Sequence, residues 1–504
     1  MTKGGTFLAA ATAFLACFSN DFSIAMAFVD PSTASASTPA STSAPRPSPR
    51  RRGGGESSAS DHAGRMPRMR RIRPPHPSSP RRLHVSSSTY DNDVGYAVID
   101  IDEAAPRDLS SFVSWAYECA GIQTSSGFAL NNDDGMNVDV YAYTTMDAPA
   151  GSCVLYVPET WILSSDRAME EFRTPDMEPA EKVLSSINAD TELRQYYLMI
   201  KILVEYEKGE GSPWFPWLNS LPRYYTNAAS MTPFCCLCLP SLMRKLAVRE
   251  RGNMSRLSVG SIKLIPFLND DTKYNVDLCN WAYQVVYTRS FESPDGDLRI
   301  VPMGDMFNHG SECMEIEPSY DEDGNYYAYT TCDVPAGSPL RTSYSDPTNP
   351  SFLFARYGFI DEMTPATFCK IIPSHVNKDM EELGYSESRM LFYKQGDVSE
   401  EVWDVLLYQH LSSTRIGDRR ALMEAHKRGD YETKRMLHEK YYPDTSRALL
   451  DHINDFLELL DKLSGKAEER QRNIDDHPRL PLILKHNQFV RDTFLTVRYK
   501  YFGY

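Results

Sequence analysis

Ten cysteines fall in 504 residues without any paired spacing. Cys235, Cys236 and Cys238 cluster in FCCLCLP, yet no second C-x-x-C and no histidine pair stands near them. Their spacing gives neither a zinc ligand set nor a disulfide framework. It reads as an apolar segment with free thiols, in a reducing compartment. A membrane-spanning length is also missing near the start. The apolar run Thr6 to Ser19 is shorter than the roughly 20 residues a bilayer span needs. Lysine is absent from residues 28–88, which hold eleven Arg and three acids (Asp30, Glu56, Asp61). Elsewhere acidic residues outnumber basic ones. The whole chain carries −15, so the body beyond that basic tract is more acidic still. An acidic body argues against a nucleic-acid-binding face and suits a protein that meets other proteins.

What is present is ordinary globular material: 41% hydrophobic and 24% charged residues, with length for two or three domains and a sizeable core. Lys3, the short apolar core and Ala25-Met26-Ala27 make a signal-peptide pattern over residues 1–27. Residues 28–88 are rich in Ser, Thr, Ala, Pro and Arg, a transit-peptide composition that cannot bury enough apolar surface to fold. Together they resemble the bipartite plastid leader of algae with secondary plastids, which implies a stromal destination. A secreted or lumenal protein with a disordered linker is the alternative, and a basic RNA-binding arm a third.

Along the chain, Leu109, Phe112, Val113, Trp115 and Ala116 show helical spacing ahead of Gly121. Val138–Thr145 and Cys153–Pro158 alternate as strands about an Asp147-Ala148-Pro149-Ala150-Gly151 turn. AYTTMDAPAGS (Ala142 to Ser152) returns as AYTTCDVPAGS (Ala328 to Ser338), nine of eleven residues identical. This predicts two strand corners with one turn chemistry, in which Pro presets φ and Gly takes positive φ. From Asp166 to about Tyr287 the pattern is helical, with Ser212–Pro222 expected as a Pro/Trp-rich turn. Beyond Glu362 helices dominate. Val402, Leu406, Leu407 and Leu411 mark one stripe, and Leu449 to Leu463 a second that Gly465 is expected to close.

The chain is organised around Arg299–Glu362. Asp305-Met306-Phe307-Asn308-His309-Gly310 is a polar turn after an apolar lead. Ile316 and Tyr326–Thr331 read as strands about Asp323-Gly324-Asn325. Thr342-Ser343-Tyr344 is extended, and Phe352–Tyr357 is a short helix.

DMFNH, then Tyr344 at a strand end, then Tyr357-Gly358-Phe359 thirteen residues on, together resemble the SET-domain methyltransferases. The order and spacing are most similar to the plant Rubisco large-subunit lysine methyltransferase family. The resemblance implies an α+β fold: a SET-type β fold with a threaded C-terminal segment and a helical insert, followed by an all-α domain. The expected boundaries are 89–362 for the SET domain, with its insert at about 166–291, and 363–504 for a helical substrate-binding-like domain. It implies S-adenosyl-L-methionine as cofactor and methyl transfer to a protein lysine, with Rubisco large subunit or plastid aldolase as candidate partners. No metal, membrane or nucleic-acid partner is expected.

Roles carry over by position. Tyr344 matches the catalytic tyrosine; Arg289, Asn308, His309 and Tyr344 match cofactor contacts. Phe291, Asp305, Tyr320 and Tyr357 match residues around the lysine. One departure stands out. Where the family's first strand has Gly-x-Gly for close backbone approach, this chain has Asp139 and Tyr141. That motivates a rival reading, a catalytically dead SET scaffold kept as a protein-binding module. Transfer to a histidine is a nearer alternative.

Overall fold

The computed structural model describes residues 98–504, apart from 133–138, 312–313, 345–349, 365, 369–375, 387–388, 412–414 and 471–475. The expected leader segments, 1–27 and 28–88, lie outside the described residues.

Short strands build several small sheets. β1 (Gln123–Thr124), β2 (Phe128–Asn132), β3 (Val140–Thr144), β4 (Cys153–Val157) and β5 (Leu163–Ser164) precede the helical insert. After it come β6 (Phe291–Glu292), β7 (Leu298–Ile300), β8 (Asn308–His309), β9 (Ile316–Tyr320), β10 (Tyr326–Thr330) and β11 (Arg341–Thr342). One sheet has the order β1-β4-β10-β9, another β5-β7-β6, and β2 forms a hairpin with β3. β8 and β11 run parallel, Asn308 opposite Arg341 and His309 opposite Thr342. Parallel neighbours need a crossover, and here the chain re-enters beside its own turn. Glu315, 6% exposed, anchors the re-entry: it accepts from the Arg341 backbone N–H at 3.1 Å and pairs with the guanidinium at 2.6 Å.

The β9–β10 hairpin forms where expected, and Asp321 accepts from the N–H groups of Asp323 and Asn325 to close its loop. The two echoed corners pair with each other through reciprocal Ala148–Val334 backbone bonds of 2.9 and 2.8 Å.

The insert is helical, with two differences from expectation. Ser212–Pro222 is not a turn throughout: Phe215–Ser220 is a short helix. Pro216 sits in its first turn, where a missing N–H costs nothing. The insert's last helix, Val276–Arg289, is capped by Asn275, whose side chain accepts from Leu278 N–H at 3.0 Å. A cap of this kind is worth about 1 kcal/mol. The helix ends where Ser290 turns extended, which sets Arg289 at its mouth.

The core divides in three, the smallest part gathering Met380, Leu407, Tyr408, Leu422 and Tyr441 of the C-terminal region. The first part gathers the strands with the insert helix Leu193–Glu207, whose Tyr196, Tyr197, Leu198, Ile200 and Leu203 are sealed from solvent. The second joins Ala228, Met231, Cys235, Cys236, Cys238 and Leu246 of the insert to Phe354, Phe392, Val405, Leu449, Phe456 and Phe494. FCCLCLP is therefore the insert's contribution to the core beneath the C-terminal helices. After Glu362 an antiparallel ribbon of β12 (Ala366–Phe368) and β13 (Leu391–Tyr393) brackets the short helix Lys378–Glu382, and the helices Glu400–Leu411, Ile416–Arg428, Tyr431–Arg470 and Leu480–Phe502 follow. Gly465 does not close its helix, which runs unbroken over Tyr431–Arg470. An interior glycine costs about 1 kcal/mol, less than burying Leu460 on one side and Ala467 on the other returns.

Candidate active site

The Asn308–His309 strand and the chain that re-enters beside it set the site. Thr342 passes in register with His309, so Tyr344, two residues on, comes back over the histidine. Its N–H donates to His309 Nδ1 at 3.1 Å, its ring lies 5.5 Å from the imidazole, and its hydroxyl donates to the Phe307 carbonyl at 2.7 Å. Since His309 Nδ1 accepts, its proton sits on Nε2, which donates to Ser311 Oγ at 3.1 Å. Ser311 in turn donates to Asp361. Burial lowers the His309 pKa, against a smaller opposing effect of Asp361. The ring is therefore neutral at pH 7, as this chain of hydrogen bonds requires.

Tyr357 stacks at a tilt 4.6 Å from Tyr344, and Phe359 lies 6.2 Å from Tyr357 and 5.8 Å from His309. The four rings form one apolar wall. Gly358 lets the chain make it: its φ is +76°, and a Cβ there would lie 2.3 Å from the Thr226 and Asn227 backbone. Burial, and then Tyr357, raise the Tyr344 pKa well above the ordinary range. The phenol thus stays protonated as a hydrogen-bond donor.

Behind the wall lies a buried ion pair. Met303 enters the Gly304–Met306 turn at φ +69°, a strained backbone for a side chain of its size. The turn aims Asp305 at Arg289, whose Nη1 donates to the carboxylate and to the Asp305 carbonyl, each at 2.9 Å. Trp217 Nε1 donates to the same carboxylate oxygen at 3.2 Å. Desolvation pulls the Arg289 pKa down, but Asp305 and Tyr225 outweigh it, and the net shift is upward. Arg107 stands close by; burial, and then the like charge of Arg289, take it down to about 9. Asp305 Oδ1 and Arg289 Nε are buried with no hydrogen-bond partner among the described residues.

The structure thus brings together Arg289, Asp305, Asn308, His309, Tyr344 and Tyr357. The ring contacts of Tyr320 among the described residues are with others: it meets Tyr326 at 5.4 Å, and the Arg299 guanidinium lies over it at 4.8 Å. Burial lifts its phenol to about 12. Phe291 is half-buried on β6, in register with Arg299 of β7. Among residues absent from the sequence expectation, Phe359, Ser311 and Asp361 support the histidine and the wall; Trp217, Tyr225 and Arg107 surround the ion pair. Only Phe359 carried a signal, its place in YGF. Asp139 lies at the site edge, where its carboxylate accepts from Asn308 Nδ2 at 3.5 Å. Tyr141 turns its hydroxyl to Asn131 Nδ2 at 2.9 Å. Among the described residues no group of His, Cys, Asp and Glu stands as a metal ligand set.

Small sheets around a parallel threaded crossing, with a helical insert and a tyrosine returning over Asn-His, make the fold that of a SET domain. Solved structures bear this out: the SET domain of LSMT bound to lysine and AdoHcy, at a TM-score of 0.53 and 14% identity over 78% of this chain and 91% of that one. Rubisco LSMT bound to AdoMet follows at 0.51 and 13%, covering 79% and 92%, and Rubisco LSMT bound to sinefungin and monomethyllysine at 0.51 and 14%, covering 78% and 91%. No family model and no curated protein sequence matches the chain.

Proposed function

We propose that the chain is an S-adenosylmethionine-dependent protein-lysine N-methyltransferase acting on a stromal protein of a plastid. The observation that carries the reading is Tyr344: amide on His309, hydroxyl on the Phe307 carbonyl, ring against Tyr357. The solved structures of similar fold hold AdoMet, AdoHcy, lysine and monomethyllysine. The leader composition supports the plastid destination, and the helical region 363–504 is the candidate for holding the protein substrate.

The residues fit the cofactor by donor chemistry. Asn308 offers a carboxamide at the surface of the site, and Arg289 and Asp305 keep one buried polar atom each without a hydrogen-bond partner among the described residues. Bound there, S-adenosylmethionine would supply a methyl group on a sulfonium, open to in-line attack by an amine. The protein must then deliver that amine uncharged, against a reference pKa of about 10.4. A wall of Tyr344, Tyr357 and Phe359 disfavours the ammonium by desolvation. Tyr344, held protonated, orients what reaches it rather than taking its proton. Catalysis of this kind is positioning and electrostatics, with no covalent nucleophile.

Two other readings are weighed by the same experiment. The Asp139 and Tyr141 pair in place of Gly-x-Gly favours a dead scaffold; nothing specific favours histidine transfer. The full chain is incubated with methyl-labelled S-adenosylmethionine and plastid stroma, and modified peptides are sequenced. Lysine labelling that Tyr344→Phe reduces at least a hundredfold is expected. A folded chain that binds the cofactor but labels nothing would leave the scaffold reading, and label on histidine the other.

A further inference from the structure

The other carboxylates of the site are held by neighbours. Asp305 pairs with Arg289 and accepts from Trp217 through one oxygen, and Asp361 is tied through Ser311 to His309. Asp139 is exposed, and among the described residues it has no ion-pair partner; its carboxylate meets only the Asn308 amide, at 3.5 Å. Its charge is also the smallest of the influences that raise the Tyr344 phenol, after burial and Tyr357. A carboxylate at that edge is placed for a cation, and the tyrosine wall beside it offers none.

We propose that Asp139 is the counter-charge for the cationic methionine end of S-adenosylmethionine, holding by electrostatics what a glycine strand would hold by close backbone approach. The inference rests on the methyltransferase reading. It predicts discrimination by charge: both ligands carry an ammonium and a carboxylate at that end, and S-adenosylmethionine adds a sulfonium that leaves it net positive. Because Asp139 is exposed, the effect is modest and screened by salt.

Calorimetry on the full chain tests it, with both ligands at low and high ionic strength, for wild type, Asp139→Asn and Asp139→Gly. Asp139→Asn should weaken S-adenosylmethionine about three- to fivefold at low salt, the range of an exposed charge pair. It should weaken S-adenosylhomocysteine less, and the difference should shrink in high salt. Equal affinity of wild type and Asp139→Asn for S-adenosylmethionine overturns the proposal. Tighter binding by Asp139→Gly overturns it too, since the carboxylate would then only obstruct. In both cases the methyltransferase reading survives. If the folded wild type binds neither ligand, that reading and this inference fall together.

Discussion

Asp147 and Asp333 cap each other's turns. Asp147 Oδ1 accepts from the Ala336 N–H at 2.8 Å, and Asp333 Oδ1 accepts from the Ala150 N–H at 2.9 Å. The repeated PAGS corners are thus two halves of one interlock, with Gly151 and Gly337 both at positive φ. The second corner leads straight into the re-entrant chain, where Leu340 N–H donates to the Ala142 carbonyl at 2.9 Å. Asp147→Ala and Asp333→Ala should each cost about 1 kcal/mol, the worth of an exposed side-chain-to-backbone bond. The double variant should depart from additivity, because both caps hold the same contact. Urea unfolding of the four forms measures this; strictly additive losses would mean that the corners act independently.

The same interlock shows how far the sequence carries. Asn308, His309, Tyr344 and Tyr357 are legible because local order and spacing fix them, and the echo at Ala142 and Ala328 announces matched corners. That the corners pair with each other is not legible, since 186 positions separate Asp147 from Asp333 and no periodicity links them. Arg107, Trp217 and Tyr225 converge on Arg289 and Asp305 from distant segments for the same reason. β1 and β5 are two residues long, too short for a pattern. β2 holds Asn131 and Asn132, poor strand formers kept extended by pairing with β3. Helix through Gly465 is likewise tertiary burial overriding a local preference.

Gly358 should tolerate no side chain. Its backbone is left-handed, and its carbonyl accepts from Thr226 Oγ1 at 2.8 Å while Asn227 Nδ2 reaches the Arg356 carbonyl at 2.9 Å. Alanine there meets strained φ and main chain at 2.3 Å together. Gly358→Ala is expected to lose 2 kcal/mol or more, roughly, by thermal unfolding. Because Tyr357 and Phe359 flank it, cofactor affinity should fall as well. A variant as stable as wild type would show that this turn can shift.

Asp305 separates charge from shape. Its side chain is sealed from solvent and Arg289 is nearly so, so removing the carboxylate strands a buried guanidinium. Asp305→Ala should cost about 3–5 kcal/mol. Arg289→Met with Asp305→Leu, which removes both charges, should recover much of that loss. Denaturant midpoints decide; a double variant worse than the sum of its parts would contradict a mere charge-pairing role.

Acid should loosen the C-terminal helices before the pH reaches the carboxylate range. His486 lies in the second core, 5% exposed, with its ring 4.6 Å from Phe354. Burial takes its pKa from 6.5 to about 4, with a smaller upward pull from Asn487. Between those values the unfolded chain binds a proton at this residue and the folded chain does not. Stability is therefore fully present above pH 6.5 and is lost as the pH falls toward about 4, by about 3 kcal/mol for a shift of this size. His309, lowered by burial as well, adds to the loss in the same direction. Urea midpoints from pH 7 to pH 4 should fall for wild type, and His486→Leu should flatten most of that slope while leaving the part due to His309. An unchanged slope in the leucine variant would show that residue 486 titrates as it does in water.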